Sequence, residues 1–292
     1  MKLSRGDFLK FMVAMGGTAI VPKVWANPWG LPLGIQLYTV RNDLKSNFAG
    51  VLGKLAAMGY KEVEAGFTDS GEIDFNGGSV TEFRKVLEGA GLRVPGAHFP
   101  VPKNDADWGG NIERAHKLNL QYMLCAGPPE ETNSLDAWKR AGAFFNHLGA
   151  LCRSAGIQFA YHNQNHEFVV YEGVIAYDEL LRSTDPALVK MELDCFWMTF
   201  AGKDPVEYMR KYPGRFPLLH IKGLKAGYKP TTGHFEGNPF TEVGTGVIDW
   251  KRIFEAARAG GLKHYYVEQD QWDRPSLESA AISAAYLKKL QV

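Results

Sequence analysis

The chain has 292 residues, 45% of them hydrophobic and 22% charged, with a formal net charge of +1. That balance excludes a disordered or fibrous chain and supplies no overall field to recruit nucleic acid or an acidic membrane. Three cysteines, Cys125, Cys152 and Cys195, are too few and too scattered for a disulfide framework and read as small buried core residues.

Residues 1–26 differ from the rest. Lys2, Arg5 and Lys10 make a basic start, Phe11 to Val21 is mostly apolar and small, and Val24-Trp25-Ala26 resembles a small-x-small cleavage site. Ser4-Arg5-Gly6-Asp7-Phe8-Leu9-Lys10 is similar to a twin-arginine export motif, with Gly6 where the second Arg belongs. The expectation is an export signal over 1–26 and a periplasmic or otherwise exported protein. The apolar run is too short to span a bilayer, so no stable membrane anchor is expected.

From residue 33 onward a unit of helix, glycine, apolar residue and short strand recurs. Met58-Gly59-Tyr60 precedes Glu62-Val63-Glu64, and Ala155-Gly156-Ile157 precedes Phe159-Ala160-Tyr161. A glycine there accepts the left-handed conformation that ends a helix, and the next apolar residue packs back on the last turn. Helix starts are marked by Ser79 with Glu82, by Asp204-Pro205 and by Asp249. Strands are predicted near 33–38, 62–65, 94–98, 121–126, 157–162, 189–194, 217–222 and 265–269, with helices between them. Eight alternating units imply parallel pairing and a closed α/β barrel, the (β/α)8 TIM barrel, over 27–292 as one catalytic domain; a doubly wound open sheet is the alternative. One connection, from Lys222 to Asp249, is long and rich in Gly and Pro. It carries His234, Phe235 and Phe240, which suits a lid over the barrel mouth.

The strands alternate with period two. Lys190, Glu192 and Asp194 oppose Val189, Met191 and Leu193; His220 and Lys222 oppose Leu219 and Ile221; Tyr266, Glu268 and Asp270 oppose Tyr265 and Val267. The apolar faces should meet the helices, so the polar faces point into the barrel, joined by Gln36, Tyr38, Glu64, His98 and His162. Burying so many ionisable groups costs several kcal/mol each unless they pair or bind a metal. Asp194, His220 and Glu268 lie near the C-terminal ends of three consecutive strands, where such barrels hold their active sites. Carboxylates mixed with imidazole suit one divalent ion of Mn2+, Co2+ or Zn2+.

The motifs Leu33-Gly34-Ile35-Gln36-Leu37-Tyr38, Gly96-Ala97-His98-Phe99, Tyr161-His162-Asn163-Gln164-Asn165-His166-Glu167-Phe168, Glu192-Leu193-Asp194 with Trp197, Leu219-His220-Ile221-Lys222 and Val267-Glu268-Gln269-Asp270 carry a resemblance over 33–290. The sequence resembles the xylose isomerase-like superfamily, in its sugar phosphate isomerase/epimerase branch. That resemblance implies a divalent metal held by a Glu, an Asp, a His and a Glu. The last three map onto Asp194, His220 and Glu268. For the first, Glu167 supplies the expected side-chain type and is taken as the ligand with His162 beside the substrate; the alternative is His162, which has the expected strand position. The sequence departs from the pattern at Gln164, where a second His is expected, and at Gly223, where relatives commonly carry Asp.

The resemblance further implies proton abstraction beside a sugar carbonyl through an enediolate, the path of an isomerase or epimerase. Glu268 and the 162–167 segment, with Glu167 and His162, are the expected acid–base groups. Lys222 would neutralise oxyanion charge, and His98 would serve as acid–base or hydroxyl partner. Gln36, Tyr38, His98, Trp197 and Lys222 make up the expected substrate-binding set. A lyase or dehydratase on 3-oxo-glycosides or related keto-sugars is the alternative outcome of the same first step. Two further alternatives are a non-catalytic carbohydrate-binding barrel and a metal-dependent nuclease, the latter lacking a basic face here. The expected partner is a small carbohydrate, with self-association into a homo-oligomer allowed.

Overall fold

The computed structural model describes residues 27–292; the export signal expected over 1–26 lies outside the described residues. Eight parallel strands close into a barrel in which every strand pairs with its neighbours in sequence and the last pairs with the first. They are β1 (Gly34–Gln36), β2 (Glu62–Gly66), β3 (Arg93–His98), β4 (Tyr122–Cys125), β5 (Gln158–His162), β6 (Val189–Asp194), β7 (Leu218–Ile221) and β8 (His264–Val267). All eight fall where the alternation of the sequence places strands, and the open sheet is excluded by the β1–β8 pairing. The strand expected over 33–38 stops early. Gln36 turns its side chain back to accept from the Tyr38 amide (2.9 Å), which starts a 3₁₀ turn over Leu37–Val40.

Helices follow the strands in turn: α1 (Phe48–Met58), α2 (Val80–Ala90), α3 (Asp105–Leu118), α4 (Leu135–Ser154), α5 (Ala176–Ser183), α6 (Pro205–Lys211), α7 (Trp250–Gly260) and α8 (Ser276–Leu287). Their ends obey local chemistry. Ser79 and Glu82 form a reciprocal capping box at α2, and Asp204 and Asp249 accept from amides in the first turns of α6 and α7. α1 ends at Gly59, whose φ of 99° an L side chain would resist.

Two apolar layers hold the barrel. The outer one lies between strands and helices and contains Trp108, Trp138, Phe145, Phe159 and Trp250, all fully buried. At about 1.5–3 kcal/mol for each large side chain removed from water, this layer is the main stabilising term. The inner one is a plug of Leu124, Ala160, Leu218 and Tyr266 inside the barrel. Leu218 and Tyr266 precede His220 and Glu268 by two residues on the same strand face, so the plug is the floor beneath the polar groups. The three cysteines are buried and unpaired.

The long connection after Lys222, expected as a lid, is packed down beside Trp197 and not an open loop. Gly223–Leu224 pairs antiparallel with Phe240–Thr241, Phe240 stacks on Phe196 (ring centroids 4.4 Å apart), and Phe235 packs against Trp197 and Phe200. Asn165 pins the excursion by donating to the Thr231 and Gly233 carbonyls (3.2 and 3.1 Å). The segment thus braces Trp197 from behind. Its pairing also explains the departure at Gly223. A Cβ there would stand 2.3 Å from the Glu242 carbonyl oxygen, so an Asp cannot occupy the position without moving the hairpin.

Candidate metal centre and cavity

The parallel register brings the C-terminal strand ends to one height: His162 stands opposite Glu192, and Asp194 opposite His220. Glu268 follows β8, its amide donating to the Ile221 carbonyl (3.1 Å). One ligand atom from each of His162, Asp194, His220 and Glu268 lies within 4.8 Å of all the others, and all four residues are buried. His162 Nε2 is 3.1 Å from His220 Nδ1 and 3.4 Å from Asp194 Oδ2. His220 Nδ1 is 2.8 Å from Glu268 Oε2 and 3.9 Å from Asp194 Oδ2.

This donor set fits a divalent ion. Metal–ligand bonds of about 2.0–2.2 Å in a tetrahedron place neighbouring ligand atoms about 3.4 Å apart, the middle of the observed range. Two ring nitrogens face each other, and Asp194 Oδ2, though buried and close to cations, accepts no hydrogen bond of good geometry. Asp194 is held in place by its other oxygen, which accepts from the Trp197 amide (2.8 Å), and by its own amide, which donates to Asn163 Oδ1 (3.0 Å). Burial and the neighbouring His220 pull the His162 pKa down to about 4, keeping the ring neutral, the form that ligates a metal.

Lys222 stands over this group. Its Nζ is 2.7 Å from Glu268 Oε2 and 3.1 Å from both Asp194 Oδ2 and Asp270 Oδ1, and it faces the Trp197 ring at 5.4 Å. Burial opposes the ammonium charge, but Asp194, Asp270 and Glu268 outweigh it and hold the pKa well above the usual lysine range. In return, Lys222 and His220 overcome burial to keep Glu268 ionised. Asp270 is pushed by burial to about 6.

Glu167, expected as the fourth ligand, lies outside the group. Its buried carboxylate accepts from the Tyr161 hydroxyl (2.7 Å) and the Gln164 amide (3.0 Å). The cause is strand parity. Tyr161 points outward between strand and helices, and the 3₁₀ turn His166–Phe168 folds Glu167 back onto it, while the inward position falls to His162.

A second group shares His220. Glu64, His98 and Glu192 meet it from β2, β3 and β6. His220 Nε2 lies 2.6 Å from Glu64 Oε2 and 3.2 Å from Glu192 Oε2, and His98 Nε2 lies 3.1 and 2.9 Å from the same two oxygens. Burial works against charge on His98, but Glu64 and Glu192 raise its pKa to about 10.

Above both groups opens a cavity of about 350 Å³. His98, His162, His220, Lys222, Glu268 and Asp270 contribute to its lining, Trp197 forms one wall, and Tyr38, Asp74 and Phe75 stand around it. Gln36, whose Nε2 donates to Glu64 Oε2 (3.0 Å), also reaches the cavity. Every residue expected to bind substrate is therefore at one site. Glu64, Glu192 and Asp270 are legible in the sequence only as inward-facing. Asp74 and Phe75 sit on the loop after β2, where no periodicity marks a residue; the positive φ of Phe75 (60°) is visible only in three dimensions.

The chain is similar to two inosose dehydratases. That of Clostridium perfringens is 27% identical over 188 residues, 61% of this chain and 63% of the relative, so the match spans less than two thirds of that protein's length. That of Clostridium beijerinckii is 26% identical over 281 residues, covering 84% of this chain and 90% of the relative. Among solved structures, a sugar phosphate isomerase/epimerase from Parabacteroides distasonis is 28% identical with a TM-score of 0.78, covering 89% of this chain and 94% of that one. Residues 52–290 match the family described as the xylose isomerase-like TIM barrel, and the chain belongs to that family.

Proposed function

We propose that the protein is a divalent-metal-dependent enzyme that removes a proton next to the carbonyl of a keto-sugar or keto-polyol. The observation that carries this is the convergence of four buried ligand atoms from His162, Asp194, His220 and Glu268 at the base of a sugar-sized cavity. Those residues would hold one Mn2+, Co2+ or Zn2+ ion. When bound, the ion supplies Lewis-acid polarisation of the carbonyl. Lys222, kept charged beside the ligands, would hold the oxygen on which negative charge develops. Asp270, at about 6, titrates near neutrality and is placed to accept a proton, and His98, held as a cation in the cavity lining, to deliver one. Trp197 and Tyr38 offer apolar faces to the ring of the substrate.

Delivery of that proton to a carbon gives isomerisation or epimerisation, and delivery to a departing hydroxyl or glycosidic oxygen gives dehydration or another elimination. The likeness to inosose dehydratases favours elimination, and the likeness to a sugar phosphate isomerase/epimerase favours isomerisation. The cavity lining favours a neutral substrate over a phosphorylated one. Among the described residues no arginine lines it, and its single lysine is already shared by three carboxylates. The basic and then apolar start over 1–26 supports an exported protein, which fractionation of the producing cell would check.

The test is deuterium uptake from D2O into inososes, neutral ketoses, 3-oxo-glycosides and their phosphorylated counterparts, with and without added metal. Metal-dependent exchange beside the carbonyl of a neutral compound, lost in Glu268→Gln, is expected. Absence of exchange in every compound with metal-loaded protein would defeat the proposal and leave a binding barrel.

A further inference from the structure

The two buried groups that share His220 touch opposite nitrogens of its ring, and their geometries differ. Around Nδ1 the contacts are a second ring nitrogen at 3.1 Å and two carboxylate oxygens at 2.8 and 3.9 Å. Around Nε2 they alternate strictly between nitrogen and carboxylate oxygen, and all four fall between 2.6 and 3.2 Å. The first pattern suits atoms spread about an ion. The second is that of charge-assisted hydrogen bonds, every one of them below the tetrahedral spacing of about 3.4 Å that the first group straddles. From this difference, and resting on the metal reading above, we infer that Glu64 and Glu192, bridged by His98, are positioning residues that lock the His220 ring with its proton on Nε2 and its Nδ1 lone pair facing the ion.

A neutral imidazole carries one N–H and one lone pair, and the hydrogen bond made by one nitrogen decides which is which. Two carboxylate oxygens at Nε2 admit only a donor there. His98 closes the ring of contacts from the opposite side and stacks on His220 with centroids 5.6 Å apart, so the plane as well as the tautomer is fixed. The clamp is itself held. Gln36 donates to Glu64, and Glu192 lies on β6 two residues before Asp194, so its placement and that of a ligand come from the same strand. Gly96 keeps the space open, since a Cβ there would come within 3.4 Å of Glu64 Oε1 and 3.2 Å of Leu124 Cδ1.

The molecule contains its own control. Glu62, two residues before Glu64 on β2, is also buried and pairs with His264 Nδ1 (2.8 Å) and Arg93 (2.8 Å), away from the candidate ligands. The experiment uses the full chain carrying Glu64→Gln, Glu192→Gln or Glu62→Gln. Co2+ affinity is read by competition with a chelator, and the His220 tautomer by nitrogen-15 NMR of histidine-labelled protein. An amide accepts more weakly than a carboxylate, and its NH2 can face the opposite tautomer. Glu64→Gln and Glu192→Gln should therefore each weaken Co2+ binding by about 10–100-fold and mix the His220 tautomers. Glu62→Gln should do neither. Unchanged affinity with an unchanged tautomer in both variants would overturn the inference. So would a second equivalent of Co2+ in the unsubstituted protein that Glu192→Gln removes, since the quartet would then be a metal seat. If the unsubstituted protein takes up no Co2+, the metal reading fails and the NMR arm decides alone. A hydrogen-bonded Nε2–H on His220 in the unsubstituted protein, weakened in both variants, supports the lock, and an Nε2 without a proton before substitution refutes it.

Discussion

The four candidate ligands come one after another from β5 to β8, as His162, Asp194, His220 and Glu268. At the mouth end the inward polar residues of β1 to β3 are Gln36, Glu64 and His98, and β4 turns Leu124 inward to the plug. The two halves of the barrel are built alike, strand for helix, yet the candidate ligand atoms all come from one half, while the other braces them and walls the cavity. Strand spacing accounts for the division. Neighbouring parallel strands stand about 4.8 Å apart, so inward side chains at matching heights on consecutive strands converge within ligand range. Groups on the far half reach the same point only across the barrel, as Glu64 does, and they meet the far side of the His220 ring.

His220 belongs to both halves, so its removal should have the largest effect. His220→Ala should abolish metal binding and leave Glu64, Glu192 and Glu268 short of a partner, lowering stability by about 3–5 kcal/mol in denaturant titration. A variant as stable as the parent would contradict the account of the buried network. Next comes a contrast within the tail of β5. His162→Ala should weaken metal binding by more than about 100-fold, beyond the range of a supporting residue. Glu167→Gln should keep the metal and lose only about 1–3 kcal/mol of stability, because it disturbs the buried Tyr161 and Gln164 contacts. The reverse outcome would restore Glu167 as ligand. Lys222→Met should keep the metal and slow solvent exchange by about 10²–10³-fold, the size of one lost donor to an oxyanion. Tyr38→Ala, on the supporting half and 40% exposed, should raise KM by about tenfold with little change in kcat, since it removes one apolar face and no chemistry.

The barrel was legible because its signals are local and repeated: a left-handed glycine after each of several helices, then an apolar residue and a strand of period two. The site was legible to the same depth. Parity alone turns Asp194, His220, Lys222 and Glu268 inward, and the strand count sets them side by side. Parity also favours His162 over Glu167, but the choice of side-chain type in the resembling motif pointed the other way, and the 3₁₀ turn that diverts Glu167 to Tyr161 leaves no period to read. The hairpin bracing Trp197 escaped for a related reason. Its two strands are two residues each and pair across an excursion rich in Gly and Pro, which reads as an open loop. Asp74 and Phe75 depend on a backbone turn that nothing in the residue types announces.

The central claim is that the ends of β5 to β8 hold one divalent ion. The most direct test is the metal content of the full chain beside that of the Asp194→Ala/His220→Ala double variant, after loading both with Mn2+, Co2+ or Zn2+ and removing excess. One equivalent in the parent and none in the variant is the predicted result. A parent that stays empty after loading, or a variant that retains its equivalent, would contradict it.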